Sequence, residues 1–241
     1  MIIEGRNSVR EVLRSDRSIE KILVMKGQKE GSIQTIFGIA REKDVIIQEV
    51  DRAKLDELSE TKNHQGVMAI VSEYEYFEVE DLLNEAYSKN ETPFLIILDE
   101  VTDPHNLGAI IRTANISGAH GIIIPKRRSV GLTQIVAKTS AGAIEYTKVA
   151  KVTNLNATIK DLKKQGIWVV AADMDGKQMY DIDFKMPIAI VIGAEGEGVS
   201  RLIKENCDMV ASIPMKGQIN SLNASVAAAI LMYEAVRQRM N

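Results

Sequence analysis

Four short runs of almost unbroken apolar residues most constrain what this chain can become. They are FLIILD (94–99), GIIIP (121–125), IWVVAAD (167–173) and IAIVIG (188–193). A strand with one wet face alternates apolar and polar residues; a run with no polar break has both faces covered. Between and around these runs lie helical patterns. NLGAIIRTANISG (106–118) stops at Gly118, a suitable C-terminal cap, and others follow at 133–142, 154–166 and 200–207. MVASIP (209–214) reads as another strand, and a long helix closes the chain from about 221 to 239. Strands and helices in this alternation predict an α/β class with a parallel sheet covered by helices on both faces.

The segment before residue 73 alternates on a smaller scale. SVREVLRS, SIQTIFGIAREKD and DRAKLDELSE are helical in pattern, whereas IEKILVM, VIIQEV and GVMAIVSE are strand-like. This predicts a small α/β domain over 1–72, near the lower end of domain size. The stretch EYEYFEVEDLLNEAYSKNET (73–92) holds one lysine against seven acids and reads as an acidic linker, helical in part. The larger domain then spans 93–241. The formal net charge of −3 is misleading about partners, because residues 1–72 balance 12 basic against 12 acidic side chains and residues 93–241 carry 17 against 14. The acidic excess lies in the linker, so total charge does not exclude a nucleic-acid partner.

In parallel α/β sheets, ligands gather at the carboxyl ends of the strands, and three strand ends here are unusually polar. In LDEVTDPHNLGAIIRTA (98–114), Asp103 and Pro104 turn the chain and Asn106 is a plausible helix N-cap. Arg112 stands in an apolar helix. Either it is interior, where a guanidinium needs an anionic partner, or it lies on the exposed stripe. In VIGAEGEGVSRLI (191–203) the glycines follow G-x-x-G-x-G rather than the dinucleotide order. Glu195 and Glu197 inside that loop would repel a pyrophosphate, so the loop suits a phosphate-free or cationic ligand. In IPMKGQINSLNASVAAAILMYEA (213–235), Asn220 or Ser221 can cap the last helix, with Asn223 in its first turn. The alanines suit close packing, but they do not explain the polar density before them.

Other chemistries lack their residues. His64, His105 and His120 have no metal-ligand spacing and Cys207 is the single cysteine, so neither a metal site nor an internal disulfide is expected. No P-loop or Gly-x-Ser-x-Gly pattern occurs. No apolar run is long enough to cross a membrane and the N-terminal residues lack a signal-peptide pattern, which predicts a cytoplasmic location. The basic run PKRRS (125–129), with Lys126, Arg127 and Arg128, is either a phosphate contact or a solvated cluster; Arg6 and Arg10 are similar candidates.

Taken in order, NLGAIIRTA, GAEGEG and PMKGQINSLNAS resemble the three motifs of the SpoU family of RNA ribose 2′-O-methyltransferases, within the SPOUT superfamily. The segments EGRNSVREVL and NHQGVMA resemble that family's substrate-binding domain, which is similar to ribosomal protein L30e. The branch most alike is the bacterial 23S rRNA guanosine 2′-O-methyltransferases. The resemblance implies S-adenosylmethionine as cofactor, a homodimer, RNA as partner and a deep trefoil knot at the C-terminus. Knots are otherwise excluded by default. It implies cofactor contacts around Gly193, Ile213 and Leu222. It also implies catalytic or substrate-facing roles for Asn106, Arg112, Glu195, Ser221 and Asn223; on charge alone, Glu195 is expected to be a partner that orients Arg112.

Three rival readings stand beside it. A tRNA ribose methyltransferase would share every motif. A non-catalytic RNA-binding protein on the same scaffold is disfavoured by the intact motif residues. A nicotinamide-dependent oxidoreductase is disfavoured by the glycine order and the acidic loop.

Overall fold

The computed structural model describes residues 1–15, 17–28, 31–218 and 221–240. The chain divides into two compact units, Met1–Glu75 and Tyr76–Asn241.

The first unit has strands β1 (Ile2–Glu4), β2 (Ile19–Met25), β3 (Ile47–Val50) and β4 (Val67–Val71), with helices α1 (Arg6–Arg14), α2 (Ser32–Glu42) and α3 (Arg52–Leu58). Its sheet runs β1-β4-β2-β3. β2 and β3 are parallel, and β4 is antiparallel to both β1 and β2. Period-2 alternation sorts the core: Ile22, Val24, Val67 and Ala69 pack with Val9, Leu13, Ile33 and Ile36 of α1 and α2. Leu23 and Met68 face Leu55 of α3 on the other side. The three-residue β1 is too short to read from its pattern. It exists because Ile2–Glu4 pairs with Met68–Ile70.

The second unit begins at Tyr76, so most of the acidic stretch is built into it. Its helix α4 (Val79–Ser88) opens with a capping box between Glu78 and Asp81, with acids favourably placed in the first turn. It buries Leu82, Leu83 and Ala86. The remaining strands are β5 (Phe94–Leu98), β6 (Gly121–Pro125), β7 (Val149–Val152), β8 (Trp168–Gln178), β9 (Ile188–Ile192) and β10 (Met209–Ser212). The helices are α5 (Pro104–Ile116), α6 (Gln134–Thr139), α7 (Leu155–Lys164), α8 (Arg201–Asn206) and α9 (Ala224–Arg239). The sheet order is β10-β8-β9-β5-β6-β7, and every adjacent pair is parallel. One core joins Leu95, Ile97, Val169 and Val191 to Leu82, Leu155, Ile159 and Ile203 of α4, α7 and α8. α5 and α9 pack on each other, α5 against β6 and α9 against β9.

Two helix starts differ from expectation. Asp103, not Asn106, is the N-cap of α5: its Oδ1 accepts from the backbone N–H of His105 at 2.9 Å. Asn106 is thereby moved inside the first turn and buried. Asn223, not Ser221, caps α9, accepting from Ser225 N at 2.9 Å and Val226 N at 3.4 Å. Asn220, the other expected cap, lies outside the described residues.

Candidate functional site

Because the strands are parallel, the ends of β5, β9 and β10 deliver the three polar segments to one edge of the sheet. Asp99 follows β5 and is buried, its carboxylate accepting from the backbone N–H of Ser200 at 2.8 Å. Gly193 follows β9. A Cβ there would run into the Gly198 carbonyl, because residues 194–198 fold back as a tight hairpin closed between Ala194 and Gly198. That return requires glycine at 193 and places Glu195 near the tip. The β10 segment ends at Ser212 and leads to Ile213.

Side chains from the three segments meet in one network. Asn223 Oδ1 is committed to the start of α9, so its Nδ2 points the other way. Nδ2 donates to Glu195 Oε1 at 2.7 Å and to Asn106 Oδ1 at 2.9 Å. Asn106 Nδ2 donates to Glu195 Oε2 at 3.4 Å. The carboxylate is thus the acceptor at which both amides end. The network explains how α5 tolerates a buried asparagine, which must find partners.

A cleft opens beside this network. Gly193, Ile213, Leu222 and Ser221 line it, with Asp173 and Glu197 as its ionisable lining groups. Glu197 is one of the two loop carboxylates that the sequence sets against a pyrophosphate, whereas Asp173 carries no such expectation. Asp173 ends the apolar run IWVVAAD; in the structure β8 continues past it to Gln178, and Asp173 lies just beyond Ala171, where the pairing with β9 stops. Among the described residues the wall is mostly small and apolar and presents no lysine or arginine. That donor set fits a flat, uncharged ring system with a positively charged centre. It does not fit a phosphate.

The expected cations distribute differently. Arg112 is exposed, which settles the two readings left open for it: it lies on the outer stripe of α5. No contact joins it to Glu195, whose oxygens serve the two asparagines instead. Arg128 pairs with Glu100 at 2.9 Å, and both have left-handed backbones, φ 56° and 59°. That ion pair raises the Arg128 pKa. Val130 N donates to Val101 O at 3.1 Å, so the basic segment is tied to the loop carrying Asp103. Arg127 is exposed and Lys126 half-buried. In the first unit Arg6 is spent internally, donating to Gln65 O at 3.2 Å, Gln28 Oε1 at 3.3 Å and Ser32 Oγ at 3.5 Å. Arg10 is half-buried, with an Nε that has no partner.

The histidines divide by role. His64 and His120 are buried; in each, Nδ1 accepts a backbone N–H (Gly66, Phe94) while Nε2 meets a carboxylate (Asp56, Glu91) at 2.9 Å. These are structural histidines of fixed tautomer. Among the described residues, no group of three or more His, Cys, Asp or Glu side chains is placed to hold a metal. Burial pushes the Cys207 thiol up to about 12, which makes it inert as a nucleophile. Among the described residues no helix is long and apolar enough to cross a membrane.

Comparison with known proteins gives a consistent picture. Residues 93–233 match the model of the SpoU rRNA Methylase family, and residues 2–77 that of RNA 2′-O ribose methyltransferase substrate binding. The chain is 51% identical over 236 residues to YacO of Bacillus subtilis, which is assigned to the TrmH family of tRNA/rRNA methyltransferases. That match covers 98% of this chain and 94% of YacO. A TrmH family tRNA/rRNA methyltransferase assignment from Staphylococcus haemolyticus is 48% identical, over 99% of this chain and 96% of the relative. Among solved structures, an AdoMet-bound rRNA methyltransferase from Sinorhizobium meliloti superposes with a TM-score of 0.61 at 26% identity, over 98% of this chain and 86% of that one. The fold is also that of the SpoU methyltransferase AviRb from Streptomyces viridochromogenes, with a TM-score of 0.64 at 23% identity, covering 100% and 90%.

Proposed function

The chain belongs to the SpoU rRNA methylase family of S-adenosylmethionine-dependent RNA methyltransferases, and we propose that it methylates the ribose 2′-hydroxyl of a guanosine in 23S rRNA. The observation that carries this reading is the Asn106–Glu195–Asn223 network, which joins all three motif segments beside a cleft whose described lining has no lysine or arginine. The S. meliloti relative with the same fold is AdoMet-bound, and the donor set here suits the same cofactor.

When bound, the cofactor supplies an electrophilic methyl on a positively charged sulfur. The protein's task is to align a ribose oxygen and stabilise the charge developing on it. We assign cofactor binding to Gly193, Ile213 and Leu222, and orientation of the ribose to Asn106, Ser221, Asn223 and Glu195. Arg112, exposed and without a partner among the described residues, is the electrostatic group at the 2′-oxygen. It holds an RNA phosphate with the same fork of donors. Arg127 leads the RNA backbone contacts, with Lys126 and Arg128 beside it and Arg10 in the first unit. Arg6 holds turns together instead.

The domain reading follows the residues: a substrate-binding first unit, then the methyltransferase. Strand insertion supports the knotted C-terminus, since β9 enters between β5 and β8 before the chain proceeds to β10 and returns as α9. The homodimer rests on apolar side chains facing water on α9 and α5, Val226 (46% exposed), Tyr233 (50%) and Ile116 (63%), and on Tyr146 (82%) after the turn at 143–145 that packs on α5. We place the enzyme in the cytoplasm, acting in rRNA processing.

The deciding experiment maps ribose methylation in rRNA and tRNA from a deletion strain. Loss of one 23S rRNA guanosine mark, restored by the wild-type gene, is expected. Loss of a tRNA mark instead would transfer the same chemistry to tRNA, the alternative that shares every motif.

A further inference from the structure

The cofactor cleft has a one-sided charge. Among the described residues its ionisable lining groups are two carboxylates, Asp173 within β8, just past the end of its pairing with β9, and Glu197 in the hairpin after β9. Their neighbours in the wall are Ala172, Ile192 and Ile213. The Asp173 side chain is only 16% exposed. Lys204 holds Oδ2 at 2.9 Å and the backbone N–H of Asp175 approaches Oδ1 at 3.4 Å. Burial works against ionisation of Asp173, but Lys204 and the neighbouring amides outweigh it and hold its pKa below the usual range. Lys204 is not itself part of the cleft wall. An ionised carboxylate is therefore fixed at an apolar surface, where charge acts more strongly than in open water.

The reaction proposed above changes the cofactor's charge by one unit. Transfer would leave the sulfur with the electron pair of the broken S–CH3 bond, bond the methyl to the ribose oxygen and release the hydroxyl proton to solvent water. A sulfonium becomes a neutral thioether of almost the same shape. We propose that Asp173 and Glu197 make the cleft discriminate by charge between methyl donor and demethylated product, favouring entry of the first and release of the second. This inference rests on the methyl-transfer reading. It adds what that reading leaves open, a basis for resisting product inhibition.

The test is calorimetric titration of the full-length protein with S-adenosylmethionine, S-adenosylhomocysteine and sinefungin, in which an amine-bearing carbon replaces the sulfonium. Wild-type protein should bind both cationic ligands more tightly than the neutral product. Asp173→Asn and Glu197→Gln should each lower the ratio of product Kd to donor Kd about three- to tenfold. Added salt should lower the wild-type ratio in the same direction. Glu197 is exposed, so Glu197→Gln carries the test even if Asp173→Asn disturbs folding beside Lys204. Equal wild-type affinities, or a ratio unmoved in Glu197→Gln, would overturn the inference while donor binding leaves the methyl-transfer reading standing. Failure of wild type to bind the donor at all would overturn both.

Discussion

The two units use their motif residues in opposite ways. In the first, EGRNSV and NHQG are consumed by their own architecture. Glu4 accepts from Ser59, Glu60 and Thr61; Arg6 links Gln65, Gln28 and Ser32; His64 sits between Asp56 and Gly66. In the second, Asn106, Glu195 and Asn223 bond one another at the rim of a cleft, and Arg112 has no partner among the described residues. A recognisable motif is therefore not by itself a functional site. In one unit it fixes turns that a small domain cannot fix by burial alone. In the other it positions polar groups toward a space.

Substitutions in the two units should accordingly separate activity from stability. The largest expected effect is Arg112→Ala. An exposed, unpaired side chain contributes little to folding, so melting temperature and donor affinity should stay near wild type. Single-turnover transfer should fall by about 10²–10³, the usual loss for a preorganised charge-stabilising group. Lost donor affinity with normal residual turnover would refute the role.

Asn223 tests the second unit more finely, because it is both helix cap and network member. Asn223→Ala should lose the cap, about 1 kcal/mol of stability, together with transfer. Asn223→Asp keeps a capping oxygen but turns a second carboxylate toward Glu195. Stability above pH 6 should be nearer wild type than in Asn223→Ala, while transfer drops about tenfold or more. Equal stability in the two variants would show that the cap contributes nothing.

Much of this arrangement is legible in the sequence, for identifiable reasons. Strands such as FLIIL and IAIVI must be buried on both faces, so the parallel sheet and the position of its ligand edge follow. Asn106 and Asn223 stand out as polar residues in apolar helices. The roles of the caps do not follow, because Asp103 and Asn106 are equally good cap residues and only the backbone path decides between them. The pairing of Glu195 with two asparagines instead of Arg112 depends on a hairpin whose geometry arises from Gly193 meeting Gly198, a contact five residues apart that no periodicity encodes. Likewise Arg6 reads as a surface cation, since Gln28 and Gln65 become its partners only once three turns converge.

In the first unit, Arg6→Ala should act on folding. Removing a guanidinium that bridges three turns should cost about 1–2 kcal/mol. Turnover per folded molecule at saturating RNA should remain within about twofold of wild type. A large fall in turnover without loss of stability would move Arg6 into the substrate site and erase the contrast between the units.

The smallest effect is a pH dependence. The Ser59 and Thr61 hydroxyls, and then the backbone N–H groups of Glu60 and Thr61, hold the Glu4 carboxyl at about 2, against an ordinary 4.5. Its folded pKa lies below its unfolded one, so its stabilising contribution is complete above roughly pH 5. That contribution is lost as pH falls from about 4.5 toward 2, because the unfolded chain takes up the proton first. Glu4→Gln removes the charge at every pH. Thermal melts should show it less stable than wild type at pH 7, with the gap narrowing steadily below pH 5. The group is close to solvent, so the gap is expected to be modest. A gap that stays constant from pH 7 to pH 3 would mean that the side chain's shape, not its charge, holds residues 59–61, and the first unit's motif would then be a matter of packing instead of ionisation.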